Sequence, residues 1–307
     1  MSNYAIIISM IDKNTLAYCA GYTDGDGCFH LRKIVSKTGN IKYQAVFIIS
    51  STDREILEFF QDQFGGKVKL ASDKITSHKP QYHFALYGKN CLQLVEKIRP
   101  FLVEKQKEAE IFISFLNSIC KTEKDRFCDE IKHIKCRENL IVLSHKDTLH
   151  ELNRTINPTN EDFSYLAGFI DAECCLSVHR YRSKNRPNFI YKTFLMCNNT
   201  KFPIFKWLTE RFGGSSRFID RNTTDSKQRN QLCWTLSSKA LENILYDILT
   251  HLKYKQAVCQ ELIEFNEMAL PRGGDRQSEE FKASYAHVLQ MKESIFNKVH
   301  ILNRKGV

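Results

Sequence analysis

One short phrase occurs twice in this chain of 307 residues. Near the start it reads Leu16-Ala-Tyr-Cys-Ala-Gly-Tyr-Thr-Asp-Gly-Asp26-Gly27, and past the midpoint Tyr165-Leu-Ala-Gly-Phe-Ile-Asp-Ala-Glu173-Cys174. Each is an apolar helical stretch with small residues at its centre, Ala20-Gly21 and Ala167-Gly168, and an acid at its end. A helix C-terminus already carries partial negative charge, so a carboxylate there is disfavoured by a few tenths to about 1 kcal/mol. Two such carboxylates side by side repel each other as well. A divalent cation relieves both problems, and the unpaired terminal carbonyls of Gly25 and Ala172 can add oxygen ligands. Asp24 and Asp171, two residues before the terminal acids, could be ligands too; hydrogen bonding at the helix end suits them better.

The residues after each phrase also repeat. Beyond Gly27, Phe29 and Leu31 alternate with His30 and Arg32, a period of two that predicts a strand with unlike faces. Lys37–Asn40 reads as a turn and Ile41–Ile49 as a second strand. Thr52 or Asp53 can cap a helix through Ile56, Leu57, Phe60 and Phe64, stopped by Gly65-Gly66. Two strands are expected at 67–71 and 81–87, then helices at 89–98 and about 102–120. In the second half Leu176 and Val178 alternate with Ser177 and His179. A turn is expected at 183–188, strands at 190–196, 216–219 and 232–236, a helix ending at Gly213-Gly214, and a helix from Ala240. The phrase Leu102-Val-Glu-Lys105-Gln106 returns as Leu252-Lys-Tyr-Lys255-Gln256. An internal repeat this long predicts an α+β fold of two pseudo-symmetric αββαββα units, residues 10–120 and 159–270. Between them, 121–158 reads as a surface linker carrying some helix. Residues 271–307 read as a helical extension that packs Phe281, Tyr285, Val288, Leu289, Phe296 and Val299 on the second unit.

Composition narrows the partners. Lys and Arg number 45 against 35 acids, a net charge of +10, which suits a polyanion but speaks to association rather than fold. The 11 cysteines include no Cys-x-x-Cys pair and many sit in apolar runs, as expected of reduced core thiols. Cys128, His133 and Cys136 fit no common zinc spacing and lack a fourth ligand. The opening apolar stretch at Ile6–Ile8 lacks a basic flank and is too short to span a bilayer, so neither a membrane segment nor an import sequence is expected.

The two phrases resemble the LAGLIDADG motif of homing endonucleases, in the single-chain form with two pseudo-symmetric halves. Motif two, Leu166-Ala-Gly-Phe-Ile-Asp-Ala-Glu173, is a close match; motif one is looser at its start but ends in Asp24-Gly-Asp26-Gly27. The resemblance implies motif helices packed at the repeat interface and antiparallel sheets forming a saddle over the DNA major groove. It implies Asp26 and Glu173 as catalytic-metal ligands, and Lys105, and by symmetry Lys255, as lysines near the scissile phosphates. Mg2+ is the implied cofactor, with Mn2+ substituting and Ca2+ supporting binding without efficient turnover. The product would be a staggered double-strand break made by a monomer. Cys174 stands where the family has Gly, so strain at a left-handed cap, or a different helix end, is expected there.

DNA reading is expected from the strand faces opposite the apolar ones. In repeat one these carry His30, Arg32, Lys42, Gln44, Lys67, Lys69, Gln81 and His83. In repeat two they carry Ser177, His179, Tyr181, Tyr191, Arg217 and Gln231, and Arg180, Arg182, Lys184 and Arg186 suggest a phosphate clamp at a hairpin tip. The leading reading is a site-specific, metal-dependent DNA endonuclease, intron-encoded and active on double-stranded DNA without a membrane partner. Its rivals are a group I intron RNA maturase, a non-catalytic DNA-binding regulator and a basic structural protein. An organelle-encoded gene, in chloroplast or mitochondrion, and a prokaryotic cytoplasmic protein both fit.

Overall fold

The computed structural model describes residues 11–71, 80–144, 149, 152–182, 188–220, 230–271, 273 and 275–305, with backbone alone for 136–144 and 305. Repeat one runs α1 (Lys13–Asp26), β1 (Gly27–Val35), β2 (Ile41–Ser51), α2 (Arg54–Phe64), β3 (Lys67–Leu70), β4 (Tyr82–Tyr87), α3 (Asn90–Ile98), a 3-10 turn (Arg99–Phe101) and α4 (Gln106–Asn117), followed by α5 (Lys121–Ser144). Repeat two runs α6 (Asn160–Glu173), β5 (Cys174–Arg182), β6 (Phe189–Asn199), α7 (Phe202–Phe212), β7 (Ser215–Ile219), β8 (Gln231–Ser237), α8 (Lys239–Leu249) and α9 (Gln256–Glu267), followed by α10 (Glu279–Lys305). The architecture is α+β, as expected, with two antiparallel four-stranded sheets ordered β1-β2-β4-β3 and β5-β6-β8-β7. Among the described residues no helix is long and apolar enough to cross a membrane.

The motif helices form the spine. Asp12 caps α1 by accepting from the Thr15 amide at 3.0 Å, and Thr159 with Asp162 builds a reciprocal capping box on α6. Both helices are buried on every side from Leu16 to Asp24 and from Ser164 to Asp171. They meet at their glycines. A Cβ built on Gly21 would lie 2.0 Å from the Tyr165 carbonyl oxygen, and one on Gly168 would lie 2.0 Å from that of Tyr18. No side chain fits at either place, so backbone packs on backbone and the helix axes come closer than ordinary side chains allow.

Each sheet lays its apolar face on its own helices. Phe29, Phe47 and Phe84 are fully buried against Phe60 and Phe112 in repeat one; Leu176, Leu195 and Trp234 are fully buried in repeat two. The glycine pairs ending α2 and α7 take positive φ at all four positions, 72° and 91° at Gly65 and Gly66, 71° and 88° at Gly213 and Gly214. That left-handed turn reverses the chain into β3 and β7.

Three expectations change. The helix placed at 102–120 begins only at Gln106, because Pro100 closes the 3-10 turn and the next amides are claimed by the Asp24 carboxylate. Cys174 carries no left-handed strain: its φ and ψ are −95° and 159°, and Gly27 is equally extended at −76° and 151°. The motif helices run straight into β1 and β5 without a reversal.

The linker, thirdly, has among its described residues a long helix, α5, with a definite place. It lies along β1, an edge strand, where Lys135 Nζ donates to the Phe29 carbonyl at 2.8 Å and Lys33 pairs with Asp125 at 2.8 Å. Helix α10 does the same to β5: Asn303 Nδ2 donates to the Leu176 carbonyl at 2.8 Å and Arg180 pairs with Glu293. The sheet register makes these places equivalent, since Lys33 pairs with Tyr43 and Arg180 with Tyr191. Each repeat thus covers its own exposed edge with a helix. Of the apolar residues expected to pack from α10, Val299 is fully buried and Phe296 partly; Ile295, not anticipated, is buried too.

Candidate metal centre and nucleic-acid interface

Past the crossing glycines the motif helices stay in contact to their ends. A Cβ on Gly25 would lie 2.4 Å from Ala172 Cβ and 3.0 Å from Glu173 Cγ. Asp26 and Glu173 therefore emerge beside each other, at the junction of the two sheets. Burial pushes the Asp26 carboxyl up to about 6, against the pull of Lys105 and Lys255. Burial, reinforced by the negative charge of Asp26, pushes Glu173 up to about 7, with the same two lysines opposing. Two hard carboxylates short of compensating charge are a donor set that suits a hard divalent cation. Among the described residues no group of three or more His, Cys, Asp and Glu side chains is placed to hold a metal. Oxygens beyond this pair would come from backbone, water or a bound phosphate.

The acids two residues earlier do different work. Asp24 accepts from the amides of Val103, Glu104 and Lys105 at 2.7, 3.0 and 2.9 Å and from the Tyr165 hydroxyl at 2.5 Å. Asp171 accepts from the amides of Lys253, Tyr254 and Lys255 at 2.8, 3.1 and 2.9 Å and from the Tyr18 hydroxyl at 2.8 Å. Four donors occupy the roughly four lone-pair sites of each carboxylate. Each acid is locked to the loop before α4 or α9 of its own repeat and to a tyrosine of the other. Hydrogen bonding at the helix end is thus what Asp24 and Asp171 do.

Those loops bring in Lys105 and Lys255. Lys105 Nζ donates to the carbonyls of Thr23, Asp24 and Gly25 at 2.8, 2.7 and 3.2 Å. Lys255 Nζ donates to Ile170, Asp171 and Cys174 at 2.5, 3.1 and 2.8 Å, passing over Ala172. Both ammonium groups face the negative ends of the motif helices. Of the two carbonyls expected to serve a metal, Gly25 already accepts from Lys105. Sequence reasoning missed the neighbouring charges. Glu104 is buried and paired with Lys201 at 2.7 Å, Lys201 also approaches Glu108 at 3.7 Å, and Glu108 lies 3.6 Å from Lys135. Tyr254 replaces Glu104 in repeat two, so no repeat-matched motif marked this cluster.

The sheet register sorts the expected DNA-reading residues. Cross-strand rows Cys28–Ile48–Ala85–Lys67, Arg32–Gln44, Ile34–Lys42 and Ser50–His83–Lys69 share the face away from the core, together with His30. Gln81 lies just before β4, exposed. In repeat two His179, Tyr181, Arg217 and Gln231 lie on the corresponding open face. Ser177 does too, but its hydroxyl is buried without a partner, so it cannot touch a ligand as it stands.

Tyr191 and Arg180 are corrected. They face each other across the strands on the core side, where the Tyr191 hydroxyl and the Arg180 guanidinium both bond Glu293 of α10. Arg180 also lies over the Phe189 and Phe296 rings, at 4.5 and 4.8 Å, and Arg182 over Phe189 at 4.6 Å. The expected phosphate clamp thus loses Arg180 and Arg182 to the far face; Lys184 and Arg186 lie outside the described residues. Alternation alone does not say which side of a strand is covered, and here α10 decides it. Lys192 was the residue to find: it pairs with His179 on the open face.

Known proteins share both the sequence pattern and the fold. Residues 19–117 match the family model described as LAGLIDADG endonuclease. The chain is 24% identical over 200 residues to "Probable intron-encoded endonuclease 4" of Neurospora crassa, covering 65% of this chain but 31% of that protein. It thus spans about a third of that relative's length. Among solved structures it resembles the LAGLIDADG meganuclease I-CpaMI bound to uncleaved DNA, with TM-score 0.59, 14% identity and coverage of 92% of this chain and 97% of that one. It also resembles I-SmaMI bound to an uncleaved DNA target with calcium ions, with TM-score 0.60, 15% identity and coverage of 92% and 97%. The first repeat thus matches the LAGLIDADG endonuclease family model in sequence, and the whole chain shares the two-repeat fold of these meganuclease structures.

Proposed function

We propose that this protein is a site-specific DNA endonuclease that hydrolyses one phosphodiester in each strand of a long target, leaving a staggered break, and so promotes mobility of its host intron. The observation that carries the reading is the placing of Asp26 and Glu173 side by side where two open, cation-bearing sheets meet. Similarity to a probable intron-encoded endonuclease and, in fold, to meganucleases bound to DNA supports it. Mg2+ is the proposed cofactor, held by Asp26 and Glu173. When bound, it would supply positive charge for the developing oxyanion and lower the pKa of water.

The chain's own residues supply the rest. The open faces of both sheets hold the duplex, with Arg32, Lys42, Lys67 and Lys69 offering donors to base edges and phosphates. Asp24 and Asp171 fix the loops that carry Lys105 and Lys255. Those lysines neutralise the helix ends and so orient the acids, which makes them positioning residues. The protein acts as a monomer, since both acids come from one chain.

The test is incubation of a randomised duplex library with the protein in Mg2+ and, separately, in Ca2+. Enrichment of one long site among cut ends in Mg2+, with binding alone in Ca2+, is expected. Asp26→Asn and Glu173→Gln should bind that site and leave it intact. Double-strand cutting by both variants would overturn the assignment.

A further inference from the structure

The two open faces occupy equivalent places yet differ in chemistry, and the register allows a position-by-position comparison. Gly27 pairs with Ile49 and Cys174 with Cys197, which aligns the two sheets row by row. His30 of sheet one then corresponds to Ser177, Lys42 to Ile190 and Lys67 to Ser215. Sheet one has exposed cations at four strand positions of this face, and none of them is ion-paired among the described residues. Sheet two has two exposed cations on this face, Lys192 and Arg217, both in outer rows; its two central rows, through Met196 and Phe194, carry no charged side chain, where the matching rows of sheet one carry Lys67 and His30. Phe194 and Met196 are half-buried there, and the Phe194 ring lies 4.5 Å from His179.

Cationic donors suit the O6 and N7 acceptors of guanine, whereas an apolar surface in the major groove is matched by the thymine 5-methyl group. We propose that the target is read by unlike chemistry in its two halves: guanine acceptors and phosphates under sheet one, thymine methyl groups under the central rows of sheet two. This rests on the DNA-cleaving reading and deepens it. It makes the target asymmetric in kind, beyond mere difference of sequence.

The experiment starts from the site enriched by the randomised duplex library in Ca2+. Selection repeated with Arg32→Ala changes base preference in one half only, which identifies the half under sheet one. Duplexes are then made with 7-deazaguanine for guanine, or deoxyuridine for thymine, in one half at a time. Removing guanine N7 acceptors under sheet one should weaken binding about tenfold, since one base contact of this kind carries a large part of base discrimination. Removing methyl groups under sheet two should weaken it roughly fourfold for each methyl buried. The swapped substitutions should change little, and Phe194→Ala should erase the deoxyuridine effect while leaving the 7-deazaguanine effect. Equal sensitivity of both halves to both substitutions, or indifference of the second half to deoxyuridine, would overturn the proposal. Enrichment of no duplex would overturn the DNA-cleaving reading beneath it.

Discussion

At the scale of single residues, the molecule separates acids that bind from acids that build. Asp24 gathers three amides and a tyrosine hydroxyl in a buried setting. Asp24→Ala would strand all four donors and should cost about 3 kcal/mol or more in urea denaturation, since each unsatisfied buried group costs roughly 1–3 kcal/mol. Asp26→Asn should instead stabilise the metal-free protein. Asp26 and Glu173 are raised to about 6 and about 7 in the fold, above the ordinary carboxylate values near 4. Below those ordinary values both states are protonated and ionisation does not matter. As pH rises from about 4 to 7 the unfolded chain ionises first, so ionisation favours unfolding, and the penalty is complete above 7. The melting temperature of wild type should therefore fall, relative to the Asp26→Asn, Glu173→Gln double variant, between pH 4 and 8 in the presence of a chelator. A difference independent of pH would show that the two groups are not perturbed.

Elements add two tests. Helix contact depends on backbone touching backbone at Gly21 and Gly168. Gly168→Ala must push the motif helices apart, because the added carbon would sit 2.0 Å from a carbonyl oxygen. Overpacking of this sort typically costs about 1–3 kcal/mol, and Ca2+ affinity should fall with it, because the ends carrying Asp26 and Glu173 separate. The edge helices give the other test. Arg180→Ala should lower stability through the lost contacts to Glu293 and two rings, and leave the salt dependence of DNA binding unchanged. Lys67→Ala, on the open face, should reduce the slope of log K against log salt by about 1 if Lys67 meets a phosphate. Finding the two effects interchanged would reverse the assignment of sheet faces.

Across the whole molecule, legibility followed locality. The strand alternation and the glycine pairs were readable because each is a pattern between near neighbours in the chain, and the repeat because it copies residue identities outright. So was the meeting of Asp26 with Glu173, since a duplicated helix with small residues at its centre has one economical way to pack. The partners of Asp24 and Asp171 were hidden, because amides give no sign in sequence of what bonds them. Tyr191 and Arg180 went to the wrong face because that side of the sheet is set by α10, which lies far along the chain. The equivalence of α5 and α10 was invisible in residue identity: Lys135 and Asn303 do the same task with different chemistry. We propose accordingly that each repeat unit extends through its edge helix.

The central claim is that one cation-binding centre is shared between the repeats, with one carboxylate from each. Crystals of the protein with its selected duplex, soaked in Mn2+ and measured at the manganese absorption edge, test it most directly. Anomalous peaks within coordination distance of both the Asp26 and Glu173 carboxylates are predicted, and each peak should fade in the matching Asn or Gln variant. Peaks bound elsewhere, or touching residues of one repeat only, would contradict it.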